Sequence, residues 1–487
     1  MNVHDKSHTV MTRRRPTKRD IRALIDFTEV NYTKCWNILV SMKPGSGVQF
    51  DATEFLTFQW TLCVALMELE RFYGITAREQ KRLIAEKPQM SAVWFRNQMA
   101  RLDEYRQLIE RVISIGKTLG NAFAWFFYQN DRPFLMAHAA QQRQLHLPLG
   151  IGGLGEYAFI RNTRHVDGQF VLYHGITTIL RLGDVSLIDL KSWKVTALGE
   201  LKTEKTGDAK LTVHVVLMGQ KPTSGTVGDN STRHDMQHQM SLSPSALDRF
   251  QRQQRRMASM ISEETQREAG LSLAVTDKTY SAELDVFLGR IKRDQFSYQQ
   301  LGNGLLLAGY GRRKSSLYGR LTGRGPHSFD LDALPEHAVK ILSSDSHRSR
   351  ISIADLEDST QAHLLMGGVP LFWRQIDAAN LRKVILQEVL LVTIYNPGHL
   401  FAKLEAAGFT LKLEVGEHQF SVARQAGHRM VGIDRCGHFT LMVQHGLCTE
   451  EKVVEMMVMA CDEMEVHAEK HGDGVNLRGD LMVNQML

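Results

Sequence analysis

The chain has 487 residues, 43% hydrophobic and 23% charged, with a formal net charge of +6 and a pI near 8.9. Such a length points to about two to four domains with ample material for a buried core, and the composition excludes wholesale disorder. The mild positive balance permits a polyanionic partner without requiring one. The five cysteines, Cys35, Cys63, Cys436, Cys448 and Cys461, are no disulfide framework in so long a chain and suit a reducing, cytoplasmic setting.

The opening "MNVHDKSHTVMTRRRPTKRD" is basic but leads into no apolar segment, so it is not read as a secretory signal. Its "RRRPTKR", residues 13–19, is either a nucleic-acid arm or a solvated terminus. From about residue 17 to 144 the pattern is helical. "TKRDIRALIDFTEVNYTKCWNIL" sets Ile21, Leu24 and Ile25 at helical spacing. "ATEFLTFQWTLCVALMELERF" is the most apolar segment, yet Glu54, Gln59, Glu68 and Glu70 interrupt it. It reads as a core helix, since no run reaches the ~18 apolar residues of a membrane span. "SAVWFRNQMARLDEYRQLIERVISIGKTL" predicts a long amphipathic helix and "NAFAWFFYQ" a separate short buried one. Residues 1–147 are therefore expected to form a helical scaffold, a surface for a partner protein or a second copy.

At "LPLGIGGLGEYAFIRN" glycines mark a boundary and a flexible lead-in to a helix carrying Glu156. Short β-like runs follow: "GQFVLYHG", "GDVSLIDL", "KVTALGELKT" and "KLTVHVVLMG". A polar stretch, "GQKPTSGTVGDNSTRHDMQHQM", reads as a loop, and "SPSALDRFQRQQRRMASMISEETQREAG" as a helix with Ser243 as N-cap. Beyond it, residues 271–487 alternate helices and strands as an α/β region with no internal duplication. "NGLLLAGYGRRKSSLYGRLTGRG" predicts a strand, then a basic loop in which Arg312, Arg313, Lys314, Arg320 and Arg324 could meet phosphates. A solvated basic loop is the plain alternative. "FSVARQAGHRMVGIDRCGHFTLMVQHG" resembles consecutive strands, on which Cys436 and His438 would share a face. With His445 and Cys448 they could form a zinc site, although Cys and His in apolar strands are more often core residues. "TEEKVVEMMVMACDEMEVHAEKHG" is a closing helix whose methionines suit a core or a dimer face.

The chemistry concentrates in "LGDVSLIDLKSWKVTALGELKTEK", residues 182–205. With "KSW" or "KSWK" as a tight turn, positions summing to about 385 face each other. Asp184 then lies opposite Leu201, flanked by Glu200 and Lys202, and Asp189 lies opposite Thr196 at the far end. Glu200 and Lys202, two apart in a strand, share a face. Two carboxylates beside an ammonium suit a divalent cation with hard oxygen ligands, Mg²⁺ or Mn²⁺, working on a phosphate. The plain alternative is a solvated hairpin whose charges blunt its strand ends. Glu/Asp-x-Lys also occurs at Glu79/Lys81, Asp189/Lys191, Asp208/Lys210 and Glu450/Lys452, none of which has an Asp at the matching end of a hairpin partner.

An Asp opening one strand and a hydrophobic strand ending in Glu-x-Lys resemble the catalytic core of the PD-(D/E)XK nuclease superfamily, over residues 148–270. The resemblance implies a restriction-endonuclease-like α/β/α core with a mixed sheet, "GEYAFIRN" being its first helix. It implies Asp184 and Glu200 as metal ligands, Lys202 as the catalytic lysine and Glu156 as an additional acidic ligand. The implied activity is metal-dependent endonucleolytic hydrolysis, of DNA rather than RNA, leaving 5′-phosphate and 3′-hydroxyl ends, in a prokaryotic restriction or anti-phage role. A non-catalytic nucleic-acid-binding or assembly protein and an RNA-cleaving effector are the alternatives. The chain departs from the family pattern in Gly183, where a Pro is common, and in "EKTGDAK", which replaces the usual helix after Glu-x-Lys. Either the core is rearranged, or "KLTVHVVLMG" extends a long hairpin and the helix from Ser245 takes the core position.

Overall fold

The computed structural model describes residues 15–43, 52–129, 150–163, 165–166, 168–205, 211–219, 278–323, 351–356, 369–413 and 420–471. It also describes residues 131, 134, 135, 138 and 342 and two short strands at 272–273 and 482–483. Helices α1 (Lys18–Ser41), α2 (Ala52–Ala85) and α3 (Ala92–Tyr128) form the expected helical N-terminal region. A reciprocal cap starts α1: the Asp20 N–H donates to the Thr17 hydroxyl (3.3 Å) and the Thr17 N–H to the Asp20 carboxylate (2.9 Å). "NAFAWFFYQ" is no separate helix but the last turns of α3, which runs for 37 residues. Two glycines inside α3 allow close packing rather than a break. A Cβ at Gly116 would collide with the Tyr32 ring, and one at Gly120 with the Ile176 carbonyl oxygen.

Helix α4 (Ile151–Asn162) then leads into β1 (His165–Val166), β2 (Gln169–Tyr173), β3 (Val185–Asp189), β4 (Lys194–Lys205) and β5 (Leu211–Gly219). Of the glycines of "GIGGLGE", Gly150 is the N-cap with φ +110°, and Gly152, Gly153 and Gly155 lie in α4 itself. The five strands pair in chain order, every pair antiparallel. This corrects the expected mixed sheet. Five residues separate β4 from β5, while a parallel crossover needs about a dozen, so β5 returns as the second arm of a long hairpin. The helix expected from Ser245 and the polar stretch before it lie outside the described residues.

The remaining chain gives β6 (Ser272–Leu273), α5 (Ser281–Arg290), β7 (Phe296–Gln300), β8 (Leu305–Gly311), α6 (Leu317–Thr322), β9 (Ser352–Asp355), α7 (Ala378–Ile385) and β10 (Val389–Tyr395). After these come α8 (Gly398–Ala406), β11 (Phe409–Leu413), β12 (Phe420–Ala426), β13 (Arg429–Ile433), α9 (Gly437–Gln444), α10 (Glu450–His471) and β14 (Met482–Val483). An antiparallel sheet of order β7-β8-β10-β9 holds the wholly buried β8 and β10, and β11-β12-β13 form a second sheet. "CGHFTLMVQHG", expected as a strand, is α9. Met456 and Met457 of α10 are core residues.

One cluster of buried apolar side chains runs from α1 to α10, across the boundaries expected near 147 and 270. Polar contacts follow the same path. The Trp373 indole donates to the Ala122 carbonyl in α3 (2.7 Å), and Arg320 of α6 pairs with Glu29 of α1 (2.9 Å). An aromatic group from α2, α3 and β2 (Phe55, Phe123, Phe126, Phe127, Phe170) receives Trp193 from the tip of the β3–β4 hairpin.

Candidate active site

The β3–β4 hairpin turns through Leu190–Trp193, with Asp189 paired to Lys194 rather than Thr196. Trp193 takes the left-handed backbone (φ +53°), and the Asp189 carboxylate accepts from the Lys191 N–H (3.0 Å) and the Ser192 hydroxyl (2.7 Å). Asp189 is thus a turn residue at the far end from Asp184. A bulge between Leu187 and Ile188 leaves Thr196 as the extra residue, and beyond it Val185 faces Gly199. That register, one step from the expected one, brings Asp184 opposite Glu200 rather than Leu201.

Strand β4 runs on past the start of β3, which leaves Leu201 without a ladder partner on that side. The Asp184 carboxylate supplies it, accepting from the Leu201 N–H through Oδ2 at 2.8 Å. The Asp184 backbone is fixed too, its N–H donating to the Gly199 carbonyl (2.7 Å) and its carbonyl accepting from the His174 N–H (2.9 Å). Gly183 just before it has φ +66°, a conformation that proline, with its φ fixed at about −65°, does not adopt. Glu200 is 5% exposed, and its Oε1 forms an ion pair with the Lys202 ammonium on the same strand face.

Helix α4 covers the opposite face of β4. A Cβ at Gly155 would strike the Thr203 side chain, so the glycine sets how closely α4 lies on the strand. Glu156 follows it, and its Oε2 accepts from the Tyr173 hydroxyl, on the strand position that faces Val185. Burial, with the nearby Asp184 charge adding to it, lifts the Glu156 carboxyl to about 7, against the opposing pull of the Tyr173 hydroxyl and Lys202. Alternation along β4 therefore sets Glu200 and Lys202 on one face, Glu156 over the other, and Asp184 at the strand end between them. Among the described residues no three Asp, Glu, His or Cys side chains gather into a metal-binding group.

The basic stretch divides. Arg312 and Arg320 are buried, Arg312 donating to the Arg320 carbonyl (3.2 Å) and Arg320 pairing with Glu29, so both serve the fold. Arg313 and Lys314 are exposed, and Arg324 lies outside the described residues. Cys436 is buried at the start of α9, its thiol against the Ile433 carbonyl (3.3 Å), and His438 is turned to the Arg435 carbonyl (3.2 Å). Helix geometry there removes the strand alternation on which the zinc expectation stood.

Sequence reasoning missed the polar groups behind the hairpin: Lys117, Asn121 and Tyr128 of α3, with His138, His174 and Ser186. All are buried. The signal was Lys117 and Asn121 four apart in an otherwise apolar helix, a spacing that sets both on one face. No family model matches the chain, and neither a curated protein nor a solved structure matches it.

Proposed function

We propose that this chain is a Mg²⁺-dependent (or Mn²⁺-dependent) endonuclease hydrolysing phosphodiester bonds, with DNA favoured over RNA. One observation carries the reading: a single hairpin end bears Asp184, the buried Glu200 and Lys202, while the Glu156 carboxyl on α4, over the other face of β4, lies near enough to feel the charges of Asp184 and Lys202. The donor set suits such a cation. Its groups are carboxylate oxygens without sulfur or imidazole, and Mg²⁺ commonly takes one or two carboxylates together with substrate phosphate and waters. Asp184 and Glu200 would hold it, with Glu156 as the additional acid. When bound, the cation polarises a phosphoryl oxygen and acidifies a water. Lys202 would orient a water or stabilise charge on the phosphoryl oxygens, and Arg313 and Lys314 offer exposed contacts to a phosphate backbone. Cytoplasmic restriction or anti-phage defence is the setting this reading favours. Among the described residues no helix is long and apolar enough to cross a membrane.

A second reading, a non-catalytic nucleic-acid-binding or assembly protein, draws on two observations. No three-ligand group forms among the described residues, and the sheet is antiparallel where the nuclease core is mixed. The two readings separate on purified protein incubated with plasmid and with total RNA, with Mg²⁺ or EDTA. Metal-dependent cleavage that Asp184→Ala and Lys202→Ala abolish supports the nuclease. No cleavage of either polymer supports the assembly protein.

A further inference from the structure

The turn that delivers Asp184 is gripped from behind by two histidines. His138 Nδ1 accepts from two consecutive backbone N–H groups, Arg181 (2.8 Å) and Leu182 (2.9 Å). A nitrogen that accepts cannot carry the proton, so His138 is protonated on Nε2, which faces the Tyr128 hydroxyl (3.2 Å). The Tyr128 hydroxyl meets the Ser186 hydroxyl (2.6 Å), and Ser186 meets His174 Nε2 (2.5 Å). The other nitrogen of His174, Nδ1, faces the Gly183 carbonyl (3.2 Å), an acceptor only, and must therefore carry the proton. The donors then run in one direction: His138 Nε2–H to Tyr128, Tyr128 to Ser186, Ser186 to His174 Nε2, and His174 Nδ1–H to Gly183. Burial holds both imidazoles neutral, taking His174 down to about 4 and His138 well below its ordinary value.

We propose that Tyr128, His138, Ser186 and His174 are positioning residues for Asp184: a closed hydrogen-bonded ring that begins on the N–H groups of residues 181 and 182 and ends on the carbonyl of residue 183. All four side chains are fully buried, so none meets a substrate. The two ends of the ring bond to the backbone of the turn, whose next residue places its carboxylate on the Leu201 N–H. Two further side chains of α3 hold the same loop upstream. Lys117 donates to the Gly175 carbonyl and to that of Thr177 (3.4 Å), while Asn121 Oδ1 accepts from the Thr178 N–H (2.8 Å) and the Ile179 N–H (3.3 Å). The helical region thereby holds the loop that leads to Asp184. That this positioning serves catalysis rests on the nuclease reading, while the ring does not.

Two measurements test it. Proton–nitrogen NMR of histidine-labelled protein at pH 7 should show His174 as the Nδ1–H tautomer and His138 as the Nε2–H tautomer. The opposite tautomer at either residue, or a charged imidazole, overturns the ring. Amide exchange of Ser186→Ala, beside Tyr128→Phe should the first variant fold poorly, should speed at least tenfold at residues 181–184 and 201, with the rest of β3 and β4 unchanged. Exchange that is unaltered, or accelerated uniformly as a merely structural loss would give, overturns the positioning role. Neither measurement needs activity, so a protein that cleaves nothing would sink the nuclease reading while the ring stands or falls on its tautomers and exchange rates.

Discussion

Glu200 is buried in β4, and its ion-pair partner is the half-buried Lys202 ammonium of the same strand. Removing that ammonium leaves a carboxylate shielded from water and deprived of the opposite charge beside it. Lys202→Met should therefore destabilise the protein by about 1–3 kcal/mol, less than a fully buried pair would lose because Lys202 reaches solvent. Adding Glu200→Gln should recover part of the loss, and urea unfolding of the two variants in EDTA checks both. Glu156 gives a pH signature. Its carboxyl is lifted by burial to about 7, so between the ordinary carboxylate range and pH 7 the folded state holds a proton that the unfolded chain has released. Stability contributed by this group is then present at acid pH and lost as pH rises toward 7. Glu156→Gln should flatten the slope between pH 5 and 7, measured by thermal unfolding in EDTA. An unchanged slope would mean that Glu156 titrates normally. Asp184, Glu200 and Lys202 are legible as a group because strand alternation and hairpin pairing are short-range rules. The Tyr173 hydroxyl on Glu156 is not, since a tyrosine in an apolar strand carries no mark of what its hydroxyl meets.

At the scale of elements, α3 packs against the loop after β2 and bonds to its backbone. Gly120 lies against the Ile176 carbonyl, a backbone atom that cannot rotate away. Gly120→Ala should cost about 1–3 kcal/mol from overpacking, reduced by the helix-propensity gain of up to about 1 kcal/mol, and chemical unfolding measures the difference. The three long helices are readable from periodicity, as is the strand status of β2 to β5. Register is readable only to within one step, because the bulge at Leu187 and Ile188 depends on packing across the sheet. Sequence alone allows two placements of β5, and the five-residue connection decides for the antiparallel return. Helix α9 escapes a sequence reading because "GHFTLMVQ" is apolar over too few residues to separate period 2 from period 3.6.

For the whole molecule, the core is continuous where length and pattern suggest separate regions. Trp373 bonds to α3 and Lys43 donates to the carbonyls of Arg374 (3.2 Å) and Ile376 (3.3 Å), so the C-terminal region and the helices are joined through shared contacts. Tryptophan fluorescence and far-ultraviolet circular dichroism should therefore report coincident thermal transitions; an early transition confined to the helices would contradict this. Such long-range joins leave no local trace in a sequence, and neither does the burial of Arg312 and Arg320, which look solvent-facing in a basic stretch. Catalysis at the hairpin end is tested most directly by supercoiled plasmid cleavage with Mg²⁺ and with EDTA, comparing the native protein with Lys202→Ala and Asp184→Ala. The expected result is cleavage by the native protein with Mg²⁺ alone, reduced at least a hundredfold in both variants; equal metal-dependent cleavage by all three proteins would contradict the assignment.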